Sequence, residues 1–203
     1  MPASADGPGG YHRAMFSYRH AFHAGNHADV LKHVVLVQLL RHLATKDTAF
    51  WVVDTHAGAG LYALDGEWAN KRGEYVDGIG RLWKLAHAPE PVADYLAIVR
   101  SMNPDGQLRR YPGSPLIALN LMREQDRLRL FELHPNEHLV LAKTIEDAGR
   151  DARRRTLVDA ADGFTKVQAV LPPPPRRGLV LIDPSYEDKQ DYRRVSATLR
   201  DAM

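Results

Sequence analysis

The segment Asp54-Thr55-His56-Ala57-Gly58-Ala59-Gly60 follows directly on the apolar run Phe50 to Asp54. Glycines at a strand end let the backbone approach a ligand closely and supply the positive φ that a tight turn requires. The dinucleotide pattern G-x-G-x-x-G is not completed, because Leu61-Tyr62-Ala63 follow, and the phosphate-loop lysine pattern is absent. A nucleoside-type ligand without a pyrophosphate fits these residues better than a dinucleotide or a nucleoside triphosphate. Glu132 closes a second apolar run, Leu128 to Glu132, where a carboxylate can accept both hydroxyl protons of a ribose. Asp162-Gly163 stands just past a third run, where an adenine amino group could be bound. Taken singly, these three features are a strand-end turn, a solvated acid and a turn. Together they favour a ligand.

The fourth run, Gly178 to Asp183, leads into Asp183-Pro184-Ser185-Tyr186. This resembles the (Asp/Asn)-Pro-Pro-(Tyr/Phe) motif of amino-group methyltransferases. The N6 lone pair of adenine is delocalised into its ring and is a poor nucleophile. The Asp183 carboxylate and the Pro184 carbonyl can each take one amino hydrogen, which orients the nitrogen and favours its rehybridisation. Tyr186 can stack on an extruded base. Ser185 replaces the second proline of the motif, restoring an N–H and loosening the turn while both acceptors and the aromatic ring are kept.

An N-terminal run, Phe16 to His33, carries four histidines: His20, His23, His27 and His33. Their spacing lacks the carboxylate-supported HExxH pattern of a zinc site, so no metal is expected. The stretch Tyr18 to His33, followed in order by THAGAG, GEY, YPGSPLIA, ELHP, ADGF and LIDPSYE, closely resembles the bacterial large-subunit ribosomal RNA adenine-N6 methyltransferase J family (RlmJ). The resemblance runs from about residue 15 to 192. It implies an α/β, class I S-adenosylmethionine-dependent (Rossmann-like) fold with a helical insertion, acting as a cytoplasmic monomer. The implied substrate is 23S ribosomal RNA, protein-free or partly assembled. The implied cofactor is S-adenosylmethionine, with S-adenosylhomocysteine as product. Cofactor contacts would be His33, His56, Ser114, Glu132, Asp162, Gly163 and Asp183. Asp183, Pro184 and Tyr186 would form the catalytic group, and Tyr18, His20 and Lys32 would face the RNA.

The elements that must position these residues read as follows. Residues 28–45 form a helix whose middle is apolar nearly all round, and so is expected to be buried. The four apolar runs, at 50–54, 128–132, 156–158 and 178–183, read as strands covered on both faces, as in a parallel doubly wound sheet. Between the first two lies a helical insertion, about 64–112, in which Val92, Tyr95, Leu96, Val99 and Met102 share one helical face. It closes in the turn Tyr111-Pro112-Gly113. Ser114 is the expected N-cap of the next helix, with Pro115 at its first position. Pro172–Pro175 reads as a stiff extended connector.

Residues 1–14, small, polar and Gly/Pro-rich, read as a disordered leader. Residues 15–203 then read as an incomplete methyltransferase domain, with the strand before Asp183 left as an apolar edge. A catalytically silent RNA- or cofactor-binding fragment is the alternative, and a histidine-based metal hydrolase a distant third. The 203 residues suit one domain. At 44% hydrophobic and 26% charged the composition is that of a soluble globular protein, with no run long enough to span a bilayer. The absence of cysteine excludes disulfides and thiolate chemistry. Net charge is only +2, but the pI is near 8.9 and arginines cluster at 109–110, 153–155 and 176–177, where they could contact phosphate or form a solvated face.

Overall fold

The computed structural model describes residues 22–65 and 73–202. The expected leader and the substrate-facing Tyr18 and His20 lie outside the described residues. Helix α1 (His27–Ala44) is capped by Asn26, whose side chain accepts from the Asp29 N–H at 3.0 Å. Strand β1 (Trp51–Asp54) follows, then β2 (Leu61–Ala63). The region between β2 and β3 (Arg110–Pro112) holds a 3₁₀ turn at Glu74–Val76, α2 (Ile79–Trp83) and α3 (Glu90–Ser101). Then come α4 (Ser114–Leu121), β4 (Arg127–Phe131), α5 (Pro135–Asp147), α6 (Arg150–Arg155) and β5 (Thr156–Asp159). The chain continues through α7 (Gly163–Lys166), β6 (Gly178–Leu181) and α8 (Gln190–Ala202).

The main sheet is parallel, in the order β5-β4-β1-β6. From β1 the chain steps outward to β4 and β5, then returns to β6 on the other side of β1. That reversal opens a crevice at the carboxyl ends of β1 and β6, where open α/β sheets bind ligands. Side chains alternate across the sheet. Val52, Leu128 and Leu130 join the larger core cluster with α1, α3, α4 and α5, while Val53 and Phe131 pack with Val167 on the other face.

Several expectations need correction. The strand before Asp183 ends at Leu181, because its partner β1 ends at Asp54 and turns away into the glycine segment. Glu132 likewise stands one residue past β4. Asp183 and Glu132 are therefore loop residues poised over the sheet end. Only the central strands are buried on both faces: Leu157 on β5 is exposed and β6 is half-buried. Helix α1 is not buried all round, since Leu31, Val35 and Leu39 form a stripe exposed by 69%, 49% and 48%. Tyr111 and Pro112 belong to β3, which pairs antiparallel with β2 and so ties the two ends of the insertion together. The expected proline connector includes a cis Leu171–Pro172 bond.

The arginine clusters are largely engaged in structure. Arg109 pairs with Asp105 at 3.3 Å, Arg153 with Glu146 at 3.6 Å and Arg154 with Glu124 at 2.6 Å. Arg155 is buried and donates to the carbonyls of Met122 and Arg123, and Arg177 donates to those of Leu43 and Thr48.

Candidate active site

One cleft of about 640 Å³ lies at the carboxyl end of the parallel strands. That is within the roughly 300–1,000 Å³ range of small-molecule sites. Every expected site residue among the described ones lines it: Lys32, His33, His56, Ser114, Glu132, Asp162, Gly163, Asp183, Pro184 and Tyr186.

The first wall is the turn after β1. Gly58 and Gly60 have φ of 60° and 78°, and a Cβ on Gly58 would lie 2.2 Å from the Tyr62 hydroxyl, which itself accepts from the Ala59 N–H at 3.1 Å. The turn is held in a form that leaves no room for a side chain. The Gly58 N–H donates to Glu132 Oε2 at 2.8 Å and the His134 N–H to Oε1 at 2.7 Å. Each carboxylate oxygen so fixed retains acceptor capacity towards the cleft. Burial raises the Glu132 pKa, opposed by these two backbone donors.

Asp54, buried at the end of β1, accepts from Ser114 Oγ at 2.6 Å and from the His56 N–H at 3.2 Å. Ser114 is therefore not the N-cap of α4. Gly113 takes that position, and the serine hydroxyl is drawn instead to the buried carboxylate. Burial pushes Asp54 up to about 6, against hydrogen bonds from Ser114 and His56 that pull it down. A carboxyl raised by folding stabilises the folded state most below its unfolded value of 3.8, and that contribution disappears as pH rises through about 6. Asp54→Asn should therefore gain stability relative to the native protein between pH 4 and 7.5, by on the order of 2–3 kcal/mol. Urea unfolding at the two pH values measures this; a difference independent of pH would remove the raised pKa.

The second wall is the segment 162–164. Asp162 Oδ1 accepts from the Phe164 N–H at 2.9 Å, and Oδ2 accepts from Arg194 Nη2 at 2.6 Å. Gly163 packs so closely on β1 that a Cβ there would meet the Thr55 carbonyl oxygen at 2.1 Å. His56 stands edge-on to Phe164, with ring centroids 4.7 Å apart. Burial lowers His56 to about 4, so its imidazole is neutral at physiological pH.

The third wall brings α1 against the loop after β6. Lys32 Nζ donates to Asp183 Oδ2 at 2.6 Å and pairs with Asp29 Oδ1 at 2.8 Å. Burial alone would lower the Lys32 pKa, but the Asp29 and Asp183 carboxylates hold it above the ordinary lysine range. Tyr186 has a φ of 55°, in the left-handed region, and its ring lies 4.8 Å from that of Tyr192. A bulky residue held there is a sign of local constraint at a working site.

The insertion supports this wall from behind. The Tyr95 and Tyr111 hydroxyls share a hydrogen bond of 3.0 Å, and Tyr111 in turn shares one of 2.8 Å with His33 Nδ1. Sequence reasoning missed Tyr95 and Tyr111 as site supports, as well as Asp29, Arg194 and Asp191. Asp29, three residues before Lys32, and Asp191, three before Arg194, had a readable signal as ion-pair spacings. Among the described residues no group of three or more His, Asp or Glu side chains is placed to hold a metal. His23 instead shares a 2.8 Å hydrogen bond with Glu74. Among the described residues no helix is long and apolar enough to cross a membrane.

Comparison with known proteins adds independent findings. A family model described as Ribosomal RNA large subunit methyltransferase D, RlmJ, matches residues 47–203. The chain is 52% identical over 181 residues to Ribosomal RNA large subunit methyltransferase J of Escherichia coli (strain K12), covering 89% of this chain and 63% of that protein. It is 49% identical over 179 residues to the protein of the same name from Haemophilus influenzae (strain ATCC 51907 / DSM 11121 / KW20 / Rd), covering 88% and 62%. The crystal structure of protein LPL1258 from Legionella pneumophila str. Philadelphia 1 superposes with a TM-score of 0.80 at 39% identity, covering 88% of this chain and 64% of that one. The chain thus spans a little under two thirds of the length of each of these proteins.

Proposed function

This chain belongs to the RlmJ family of ribosomal RNA large subunit methyltransferases, and we propose that it transfers the methyl group of S-adenosylmethionine to the N6 amino group of an adenine in 23S ribosomal RNA. The observation that carries this reading is the convergence of Glu132, Asp162 and Asp183, from the ends of three strands, on one cleft. The residues fit the cofactor. Gly58 and Gly163 line the cleft without side chains, packed tightly on Tyr62 and Thr55, and two carboxylates fixed by backbone N–H groups line it beside them. Glu132 would take the two ribose hydroxyls, and Asp162 with Gly163 the adenine edge. His33, His56 and Ser114 would line the methionine end.

The cofactor supplies a methyl group activated on a sulfonium. The protein's part is positioning and charge. Lys32 engages Oδ2 of Asp183, which leaves Oδ1 to accept an amino hydrogen of the target base, with the Pro184 carbonyl as the second acceptor. Two carboxylates, Asp29 and Asp183, share one ammonium, so the group keeps a net negative charge as positive charge develops on the nitrogen. Lys32 is thereby a support of the catalytic aspartate, in addition to the RNA-facing role the family resemblance implies. Tyr186, 37% exposed at the cleft mouth, would stack on the extruded base. Tyr18 and His20 would complete the RNA contact. The protein acts in this reading as a cytoplasmic monomer on protein-free or partly assembled RNA, without a metal.

Calorimetric titration with S-adenosylmethionine, followed by methyl incorporation into unmodified 23S ribosomal RNA, tests the proposal. Binding and transfer are both expected, with N6-methyladenine as the product. Cofactor binding without transfer would replace the catalytic reading by a cofactor- or RNA-binding one.

A further inference from the structure

Arg194, on α8, is the one cation that reaches both the cofactor wall and the helix following the catalytic loop, among the described residues. Its guanidinium donates to Asp162 Oδ2 at 2.6 Å, lies 4.2 Å from the Phe164 ring centroid and stands 3.9 Å from Asp191 Oδ1. Asp191 is only 4% exposed, and its Oδ1 makes no hydrogen bond among the described residues. The backbone N–H of Tyr186 faces the Asp191 carboxylate, and the Tyr186 ring lies against Tyr192, the residue after Asp191. The start of α8 is therefore attached to the Asp183-Pro184-Ser185-Tyr186 loop, while Arg194, one turn further on, is attached to Asp162. A planar guanidinium stacked on an aromatic ring and hydrogen-bonded to one carboxylate beside another is a geometrically fixed link.

We propose that Arg194 is a positioning residue that couples the cofactor's adenine end to the RNA-binding loop, so that occupancy of the Asp162 subsite strengthens RNA binding at Tyr186. The coupling rests on the cofactor reading given above. An adenine amino group that takes up the Asp162 carboxylate frees Arg194 to close on Asp191 Oδ1, 3.9 Å away and without a hydrogen bond among the described residues, and so tightens the start of α8, which carries Tyr192 and orders Tyr186. Binding energy at one subsite is thereby expressed at the other, and the effect is reciprocal.

The test is the affinity of the full chain for a 23S ribosomal RNA transcript, with and without saturating S-adenosylhomocysteine, in the native protein and in Arg194→Met and Arg194→Lys. The native protein is expected to bind RNA about 5–20-fold more tightly with the nucleoside present, within the usual scale of such couplings. Arg194→Met, which retains an apolar stem, should lose that ratio and lower kcat more than it raises the KM for RNA; Arg194→Lys should restore part of both. Thermal midpoints confirm that each variant is folded, and Arg194→Lys carries the test if the methionine variant is not. A native ratio near one, or the full native ratio kept in either folded Arg194 variant, would overturn the coupling. Calorimetry of the native protein with S-adenosylhomocysteine alone separates this from the cofactor reading, which fails only if no binding is seen.

Discussion

Asp183→Ala should abolish methyl transfer, a loss of at least about 10³-fold in kcat, or roughly 4 kcal/mol of transition-state stabilisation. The carboxylate stands in the loop beyond β6 with one oxygen held by Lys32, which fixes where the other oxygen can accept. Removing it also leaves the partly buried Lys32 ammonium with Asp29 alone. Asp183→Asn makes the sharper comparison. Its amide has a single oxygen, for which Lys32 and the target amino group must compete. Activity between that of the native protein and the alanine variant is therefore expected. Single-turnover methyl incorporation at saturating cofactor measures the chemical step, and near-native rates in the alanine variant would remove Asp183 from it.

Gly163→Ala should be nearly as damaging, through binding rather than chemistry. The added methyl would be placed 2.1 Å from the Thr55 carbonyl oxygen, a backbone atom held by the sheet, since the Thr55 N–H donates to Leu181 O at 3.0 Å. A rotamer change cannot relieve this contact, so the segment carrying Asp162 must move off β1. A shift of that kind displaces Asp162 and Phe164 together and widens the cleft. We expect a loss in S-adenosylhomocysteine affinity on the order of 10–100-fold, about 1.4–2.7 kcal/mol, with a smaller drop in thermal midpoint. Calorimetry that returned a native affinity would show that the cleft's adenine wall lies elsewhere.

The site was more legible in the sequence than the frame that holds it. Asp54, Glu132 and Asp183 could be placed at one end of the sheet because each closes an apolar run, and parallel strands put their carboxyl ends together whatever their order. The glycines of the turn announced themselves by spacing. The insertion was readable as helical from its 3.6-residue periodicity, but β2 and β3 were not. Three residues each are too few to show alternation, and they form only because the two chain segments meet. Ser114 looked like a cap because capping is a local preference; a buried carboxylate 60 positions away in sequence outbids it. The same limit hid Arg194. Asp191 is local, but Asp162 and Phe164 lie in the loop before α7 and on α7, and nothing in the arginine's own neighbourhood of sequence points to them. The outward stripe of α1 misled in the opposite sense, since an apolar residue facing water and one facing a core are identical on paper.

On the proposed function, the grip on Glu132 would have a metabolic consequence. Two main-chain amides fix that carboxylate in place before any nucleoside arrives, so an enzyme built this way would hold donor and spent donor by the same sugar and base. The two differ only at sulfur, by one methyl and one charge, and discrimination between them would rest on that end of the cleft alone. Demethylated nucleoside would then act as a strong competitive inhibitor, and the rate of ribosomal RNA modification in the cell would follow the methylation potential, the ratio of fresh to exhausted cofactor, rather than the supply of either one.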